Sequence, residues 1–398
     1  MVLAIVILSL LTLEAPPTFT VDLSQPPRLR WKGALASVLH AHTYEHSFGP
    51  IFAFHNASLF SKLPPSSWTQ MSDSTDKHYP EQAQELRGIS DEFAALGHPE
   101  VSYQYLVGWA WFHELAHTEI LNATLFDTRE CTGLLARDAS GRTMHAANMD
   151  QSPRQARNAT LHVRFVKDPR GPAIFQGVDW YWFTAGVSRA VRAGVGSVQE
   201  NWRHSIPPLP LAKVLEDISA GPAAAVPQMW VFRRALLAEP PMPWAKLSRF
   251  FESVPLAAPF YIVAAGPAGQ GAVIARNSTG SVGTTVLSDA DAVLVQTNYD
   301  RWLPDSKTDP RRTRGEQMLE SILGSGADRD ATATSLDLLA VASAFPIHNP
   351  HTAFTAVMDP ATGALRAYVR DALCPTDPQV IAHGGQERYC TAHGVAQG

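Results

Sequence analysis

Hydrophobic and polar residues follow two different patterns along the chain, and the change falls near residue 130. Before it, apolar residues recur every three to four positions, as in residues 80–96. Residues 101–121 form a longer, largely apolar stretch with similar spacing, which predicts a helix that is either buried or lies at an interface. The chain before residue 130 is therefore predicted to be mainly helical.

After residue 130 the pattern changes to short strand-like runs separated by turns. Residues 131–136 and 142–147 flank the turn sequence of residues 138–141 and predict an antiparallel hairpin. Strand groups that alternate with pairs of helices are typical of a layered α+β fold rather than a regular βαβ repeat. Further strands are predicted at 161–166, 261–265, 272–276, 293–297, 353–358 and 365–369, and helices at 209–218, 228–237, 312–323 and 335–344.

Composition and charge narrow the class of protein. The chain has 398 residues, of which 45% are hydrophobic and 17% charged, as in an ordinary globular protein. The net charge is −5 at pH 7 and the sequence contains no basic block, so a nucleic-acid partner is not expected.

The N-terminus and the glycosylation motifs concern the compartment. Residues 2–13 are an apolar run of signal-peptide length, and residues 1–15 are predicted to be a signal peptide. Four Asn-X-Ser/Thr motifs agree with passage through the secretory pathway. A secreted or lysosomal protein is therefore expected. The motifs begin at Asn56, Asn122, Asn158 and Asn277.

One motif suggests zinc chemistry. His113, Glu114 and His117 match HExxH, in which two histidines on one helix face bind zinc and the glutamate activates water. A zinc peptidase is therefore an alternative hypothesis. The motif has only three fixed residues in a chain with 15 histidines, and the sequence offers no third ligand at a suitable spacing. Packing of an aromatic helix face explains it better, and no metal is predicted.

A second segment suggests nucleophilic catalysis. Cys131 opens the predicted hairpin, whose return strand leads to Asp150. If the bond between Glu130 and Cys131 were cut, one residue would carry both a nucleophilic thiol and an α-amine that manages its proton. The nearby ammonium would also favour the thiolate. A buried apolar cysteine is the alternative interpretation of Cys131.

Several longer segments share features with one enzyme family. Residues 131–150, which contain the hairpin, and residues 295–302, followed by 309–313, are the most specific; residues 19–31, 197–200 and 261–276 add to them. On these segments the chain resembles the acid ceramidase and N-acylethanolamine acid amidase family, whose members are N-terminal-nucleophile hydrolases.

The resemblance implies a four-layer αββα core preceded by a helical segment. Residues 16–130 would become an α-subunit after self-cleavage between Glu130 and Cys131, and residues 131–398 would be the catalytic β-subunit that stays associated with it. Each of the implied site residues also has a purely structural interpretation when it is considered alone. The implied roles are nucleophile for Cys131, orientation of its amine for Asp150, oxyanion stabilisation for Asn298, support of the site for Glu200, and charge balance for Arg311 or Arg312.

The resemblance also concerns substrate and covalent structure. It implies a lipid amide substrate, contact with a membrane surface, and no cofactor. It further implies a disulfide between Cys374 and Cys390, which leaves Cys131 as the remaining thiol. A non-catalytic, lipid-binding relative is a third hypothesis.

Two positions depart from the family pattern. An arginine is expected three residues before Asp150, where this chain has Ala147, and another after Glu200, where it has Asn201. Alanine cannot replace a guanidinium group. Three explanations are open: another cation enters this space, with Arg142, Arg189 and Arg192 as the candidates; catalytic power is reduced; or the substrate differs from the usual lipids of the family.

Overall fold

The structure of the protein is a computed structural model. The structure describes residues 14–121, 131–204, 206–305, 309–324 and 334–369. The predicted signal peptide except for its last two residues, Asn122, Glu130, Cys374 and Cys390 lie outside these ranges.

The larger sheet has eight strands in the order β1-β4-β5-β6-β7-β8-β9-β10. All neighbours are antiparallel except β1 and β4, which run parallel. Its strands β8 and β9 are buried along their whole length, which explains their nearly continuous apolar sequences. The strands are β1 (Thr18–Asp22), β4 (Leu161–Val166), β5 (Phe175–Asp179), β6 (Arg189–Arg192), β7 (Gly196–Trp202), β8 (Phe260–Ala265), β9 (Gly271–Arg276) and β10 (Ser281–Val286).

The smaller sheet has five antiparallel strands in the order β11-β2-β3-β12-β13. The hairpin predicted after residue 130 is confirmed as β2 and β3, with Thr132 paired with Asn148. The turn at residues 359–363 joins the last two strands, with Gly363 in the left-handed region at φ 75°. The strands are β2 (Thr132–Arg137), β3 (Thr143–Asp150), β11 (Val293–Gln296), β12 (Thr352–Asp359) and β13 (Ala364–Tyr368).

The two sheets pack face to face, and helices cover both outer faces. Strands β2, β3 and β12 contact β7, β8 and β6 of the larger sheet. The last two helices cover the smaller sheet, and two others pack on the larger one. The predicted αββα arrangement is thus confirmed. The helices after residue 130 are α7 (Leu211–Ala220), α8 (Gln228–Leu237), α9 (Trp244–Ser253), α10 (Arg311–Leu323) and α11 (Ser335–Ala342).

The segment before residue 122 is mainly helical, as predicted, but it also contributes β1 to the edge of the larger sheet. The predicted helix at residues 80–96 is confirmed as α4; it begins with Pro80 and is followed by Gly97 at φ 93°, a common end signal. The helices are α1 (Ala34–Ala41), α2 (Phe48–Ser58), α3 (Pro65–His78), α4 (Pro80–Ala95), α5 (Tyr103–Ala110) and α6 (Phe112–Ala116).

The prediction of one long helix over residues 101–121 is wrong. The segment forms α5 and α6, and the chain then turns away because Thr118 donates its hydroxyl to the Leu115 carbonyl and forms a bridge with Leu209. Residues 106–118 are buried inside the protein. Packing therefore accounts for their apolar character. Of the two predicted locations, the segment is buried and does not lie at an interface. Among the described residues, no helix is both long and apolar enough to cross a membrane.

Three of the glycosylation motifs lie in the described part of the chain. Asn56 is exposed on α2, and Asn277 caps the turn between β9 and β10. Asn158 is half-buried, and its amide nitrogen donates to the His46 carbonyl at 2.6 Å. A glycan on Asn158 would disturb this contact, so Asn56 is the most accessible of the three.

Candidate active site

The candidate site lies at the start of β2, between the two sheets. Cys131 precedes this strand and is 4% exposed. Its Sγ lies 3.3 Å from Sδ of Met149, the residue beside it on β3. Because Thr132 pairs with Asn148, alternation along the strands places Cys131 and Met149 on the same face. That face is turned toward the larger sheet, since a Cβ at Gly133 would lie 2.9 Å from Oε1 of Gln199 on β7.

Arg311, the first residue of α10, connects the predicted site residues. Its Nη2 donates to Oδ1 of Asn298 at 3.0 Å, and its Nη1 lies 3.4 Å from Oδ2 of Asp150. The same Nη1 donates to the Cys131 carbonyl at 3.3 Å. Asp309 holds the guanidinium through two hydrogen bonds of 2.7 and 2.8 Å. This two-pronged geometry is specific to arginine and fixes the group's orientation.

The charge on Arg311 is stable although the side chain is only 1% exposed. Burial lowers its pKa, but Asp309, Asp150 and Cys131 outweigh this effect, so the pKa of Arg311 lies above its usual range. The site therefore retains a permanent positive charge beside Cys131.

Asp150 ends β3 and is buried. Its Oδ1 accepts the Thr352 hydroxyl at 2.5 Å, and its Oδ2 accepts the Asn349 amide at 2.8 Å. Burial raises the pKa of Asp150 to about 6, although Arg311, Thr352 and Asn349 favour the ionised form. The carboxyl group can therefore gain or lose a proton at mildly acidic pH.

Asn298 lies just after β11 and is buried. Its Oδ1 faces Arg311, and its Nδ2 donates to the Trp202 carbonyl at 3.0 Å. These two contacts fix the orientation of the amide close to the start of β2.

Glu200 lies on the neighbouring strand β7 and is 3% exposed. Its Oε1 is 3.4 Å from Nε2 of His113, and its Oε2 is 3.7 Å from Nη1 of Arg189. Arg189 interacts electrostatically with Cys131 as well as with Glu200, and it therefore connects Glu200 to the site.

Of the two arginines predicted to set the charge balance, only Arg311 reaches the cluster around Cys131. Arg312 points toward the loop after β11: its Nε pairs with Asp305 at 2.7 Å, and its Nη2 donates to the Leu303 carbonyl at 2.5 Å. Successive residues on a helix point in different directions, which explains why the sequence alone left this choice open.

The three cations considered as substitutes at position 147 occupy different places. Arg142 pairs with Asp359, and Arg192 donates to the Leu236 and Ala238 carbonyls. Only Arg189 is fully buried between the sheets.

The other departure has a structural role. Asn201 donates from Nδ2 to the Gln296 carbonyl at 2.9 Å and to the Cys131 carbonyl at 3.3 Å. It thereby links β7 to β11 and to the start of β2. Sequence analysis did not identify this contact, or those of Asn349 and Thr352 with Asp150, since no local pattern brings β7 and β12 next to β3.

The residues of the HExxH motif each have contacts within the protein. Glu114 accepts the backbone N–H of Gln228 at the start of α8 at 2.8 Å. The ring of His117 stacks on Trp202 with centroids 4.2 Å apart. Among the described residues, no group of three or more His, Cys, Asp or Glu side chains is arranged to hold a metal ion.

Comparison with known proteins supports the resemblance found in the sequence. No family model matches the chain. The chain is 26% identical over 359 residues to N-acylethanolamine-hydrolyzing acid amidase of Rattus norvegicus, covering 87% of this chain and 86% of that protein. It is 25% identical over 390 residues to acid ceramidase of Heterocephalus glaber, covering 92% and 88%.

A solved structure of a Caenorhabditis elegans N-acylethanolamine-hydrolyzing acid amidase ortholog aligns with 60% of this chain and 100% of that chain, at 25% identity and a TM-score of 0.49. The alignments with these two relatives include residues on both sides of residue 131, since they cover most of the chain. The resemblance to the acid ceramidase and N-acylethanolamine acid amidase family is therefore confirmed over most of the chain.

Proposed function

We propose that this protein is an amidase that hydrolyses fatty-acid amides of the ceramide or N-acylethanolamine type. Cys131 acts as an N-terminal nucleophile after self-cleavage of the bond between Glu130 and Cys131. The relatives named for hydrolysis of N-acylethanolamines, and those named acid ceramidase, support an enzyme that cleaves amide C–N bonds.

One observation carries the proposal. Arg311 contacts Asp150, Asn298 and the carbonyl of Cys131, although these residues are far apart in the sequence. Packing alone would favour apolar groups here, because burying charged groups is costly unless they are paired. The arrangement supplies groups that an acyl-transfer site needs: Cys131 with its thiol, and a carboxyl group and an amide that Arg311 joins to its carbonyl.

Self-cleavage begins when the Cys131 thiol attacks the carbonyl carbon of Glu130. A C–S bond forms, the peptide C–N bond breaks, and the nitrogen of Cys131 takes a proton to become an α-amine. Water then cleaves the thioester, giving a carboxyl group to Glu130 and returning hydrogen to the sulfur. Asp150, which Arg311 joins to the backbone of Cys131, is the carboxyl group assigned to hold the new ammonium group, because an ionised carboxylate favours a neighbouring positive charge.

Amide hydrolysis uses the same groups. The thiol of Cys131 passes its proton to the α-amine and attacks the substrate carbonyl, and the negative oxygen formed is stabilised by the amide of Asn298. The C–N bond breaks as the amine leaving group takes the proton. Water hydrolyses the acyl thioester, which releases the fatty acid and restores the thiol.

The predicted secretory route and the relatives named acid amidase and acid ceramidase support an acidic compartment. We place the enzyme in the lysosome or outside the cell. A lipid substrate would require contact with a membrane surface or lipid carrier, and the α and β segments stay associated because the first supplies β1 to the larger sheet.

The test is hydrolysis of a fluorogenic fatty-acid amide at mildly acidic pH. The wild-type protein is expected to release the fluorophore, and Cys131→Ala to abolish release while leaving the unfolding temperature nearly unchanged. Met149→Leu, which changes the neighbour of Cys131 without removing a proposed catalytic group, serves as the matched control. Turnover by Cys131→Ala equal to that of wild type would refute the proposal.

Zinc analysis, lipid-binding measurements and the mass of the chain, made alongside this assay, separate the alternatives. Inhibition by a chelator together with stoichiometric bound zinc would support a zinc peptidase based on His113 and His117. Saturable lipid binding without turnover, in a chain that stays uncut, would support a non-catalytic lipid-binding protein.

A further inference from the structure

Arg189 is a buried cation that the mechanism above does not use. It begins β6, pairs with Gln199 on β7 and is fully buried. Paired residues in a sheet point to the same face, and Gln199 contacts the ring of His145 on β3 of the smaller sheet at 3.1 Å. The side chain of Arg189 therefore enters the space between the two sheets.

The guanidinium of Arg189 reaches the part of the smaller sheet that carries Cys131. Its central carbon lies 5.9 Å from the ring centre of Phe354 on β12. Phe354 is paired with Met149, and Sδ of Met149 is 3.3 Å from Sγ of Cys131. Phe354, Met149 and Cys131 thus form one row across the smaller sheet, with Arg189 facing it.

The hydrogen bonds of Arg189 are incomplete. Its Nη1 donates to the Ser188 hydroxyl at 2.6 Å and lies 3.7 Å from Oε2 of Glu200. Its Nε and Nη2 are buried and have no hydrogen-bond partner in the described part of the protein. Unsatisfied N–H groups on a buried cation are costly, so this position favours a nearby anion.

The negative groups around Arg189 are consistent with this. Burial lowers its pKa, but the charges of Cys131, Glu200 and Asp179 more than compensate, so the pKa of Arg189 lies above its usual value. Among the described residues, the ionisable groups around Cys131 and Arg189 are Asp150 and His145 on β3, Asp179 on β5, Tyr181 after it, Glu200 on β7, His113 on α6, and Asp309 and Arg311 at the start of α10.

The smaller sheet carries only small side chains next to Cys131. Ala147 is paired with Gly133 on β2 and with Ala356 on β12, so the row next to Cys131 consists of very small residues. The space beside Gly133 is occupied by Gln199 from the larger sheet. Where the related family is expected to place an arginine on the smaller sheet, this chain has the buried Ala147, and the guanidinium of Arg189 enters the interface from the opposite sheet.

We propose that Arg189 is the cation that stabilises the thiolate of Cys131. It extends from the larger sheet and supplies the positive charge that the arginine expected at position 147 would have provided. This inference rests on the proposed function only in that Cys131 is the nucleophile. Arg189 acts through Cys131 and is a positioning residue: it sets how much thiolate is present. Its contact with Glu200 keeps the guanidinium in place, which gives Glu200 its supporting role.

The test measures the rate at which iodoacetamide modifies Cys131 as a function of pH, read from the mass of the peptide that contains it. Only the thiolate reacts, so the midpoint of the curve reports its formation. Arg189→Gln is expected to move the midpoint upward by about one pH unit or more, which is a tenfold loss of thiolate below the midpoint. Arg189→Lys keeps the charge and should move it by less than half as much.

Arg192→Gln, on the same strand but bonded to the Leu236 and Ala238 carbonyls, is the matched control and should leave the midpoint unchanged. All variants are compared in the same cleavage state. A folded Arg189→Gln with the wild-type midpoint overturns the inference. If that variant does not fold, the wild-type curve decides: a midpoint at or above about 8.5, the ordinary thiol value, overturns it.

This readout does not depend on turnover. An inactive wild-type protein whose midpoint still shifts in Arg189→Gln would contradict the proposed function and leave the role of Arg189 intact. An active enzyme with an unshifted midpoint would do the reverse.

Discussion

At the scale of single residues, the candidate site depends on how Arg311 is held. Asp309 fixes its guanidinium from one side, and Asn298, Asp150 and the Cys131 carbonyl receive its remaining donors. One side chain thus sets the positions of groups from three separate parts of the chain. Sequence analysis named Arg311 and Arg312 together, and only the direction of the helix distinguishes them.

Arg311→Lys is expected to lower amidase turnover by roughly 100-fold or more, comparable to the loss of one preorganised donor in an acyl-transfer site. Lysine keeps the charge but cannot donate to Asp309 and Asn298 at once. The measurement is the turnover rate together with the unfolding temperature. Arg314→Lys, exposed on the same helix, is the control and should retain activity. Equal activity of the two variants would contradict the role of Arg311.

Asp150 gives a prediction for the pH dependence of stability. Its pKa is about 6 in the folded protein and 3.8 as an isolated group, so between these values the folded state holds a proton that the unfolded state has lost. Its contribution to stability is therefore fully present below pH 3.8 and is lost as the pH rises through about 6. The free energy of unfolding is measured for Cys131→Ala and for Cys131→Ala with Asp150→Asn, so that both chains are uncut.

The first chain should lose up to ~3 kcal/mol relative to the second between acidic and neutral pH. Asparagine does not titrate, and its amide can keep hydrogen bonds with Thr352 and Asn349. A difference in unfolding free energy between the two chains that does not change with pH would show that the pKa of the Asp150 carboxyl is not raised.

At the scale of secondary-structure elements, the sequence predicted those parts whose pattern is local. The hairpin of β2 and β3, strand β4 and helix α8 follow from apolar spacing and turn residues, and their bounds agree closely. Strands β5, β6 and β7 were not predicted, since their sequences mix glycine, arginine and polar residues. Their polar residues are explained by the site, because Arg189, Gln199 and Asn201 face Cys131 and its neighbours.

The close approach of the two sheets at β2 can be tested with Gly133→Ala. An added methyl group would lie 2.9 Å from Oε1 of Gln199 and 3.0 Å from Cγ2 of Val263, so the sheets would have to separate locally. The expected loss in the free energy of unfolding is ~1–3 kcal/mol, measured with urea. Gly280→Ala is the control, since its nearest neighbour would be 3.7 Å away. Equal stability of both variants would mean that the sheets can accept a methyl group at this point, and it would contradict their close approach.

At the scale of the whole molecule, the helical segment and the αββα layers form a shared interior. Glu85 of α4 is fully buried and receives hydrogen bonds of 2.5 and 2.6 Å from Arg233 of α8. Trp31 and Arg30 donate to the same carboxylate at 2.8 Å. Burial raises the pKa of Glu85, but Arg233, Trp31 and Arg30 lower it below its usual value, so the ion pair is stable when ionised. Contacts of this kind would hold the two segments together after cleavage.

Glu85→Gln should therefore weaken the association of the two segments by ~3–5 kcal/mol, since it leaves Arg233 without its partner charge. In the cleaved protein, the segments should separate at a lower urea concentration, as seen by gel filtration. Glu81→Gln changes an exposed member of the same cluster and is the control. Separation at the same urea concentration for both variants would contradict this role of Glu85.

The sequence could not reveal this interior. The αββα layers follow from predicted elements and the family resemblance, but the partners of Glu85, Asp150 and Cys131 come from segments more than a hundred residues away. Side-chain contacts over such separations depend on sheet order and register, which local patterns do not encode.

The most direct test of the account is whether the chain cuts itself at the bond before Cys131. Purified wild-type protein is incubated at mildly acidic pH, and its fragments are analysed by intact mass and N-terminal sequencing. The account predicts two fragments, the second beginning with Cys131, and an uncut chain for Cys131→Ala. A wild-type chain that hydrolyses fatty-acid amides while remaining whole, or a Cys131→Ala chain cut at the same bond, would contradict it.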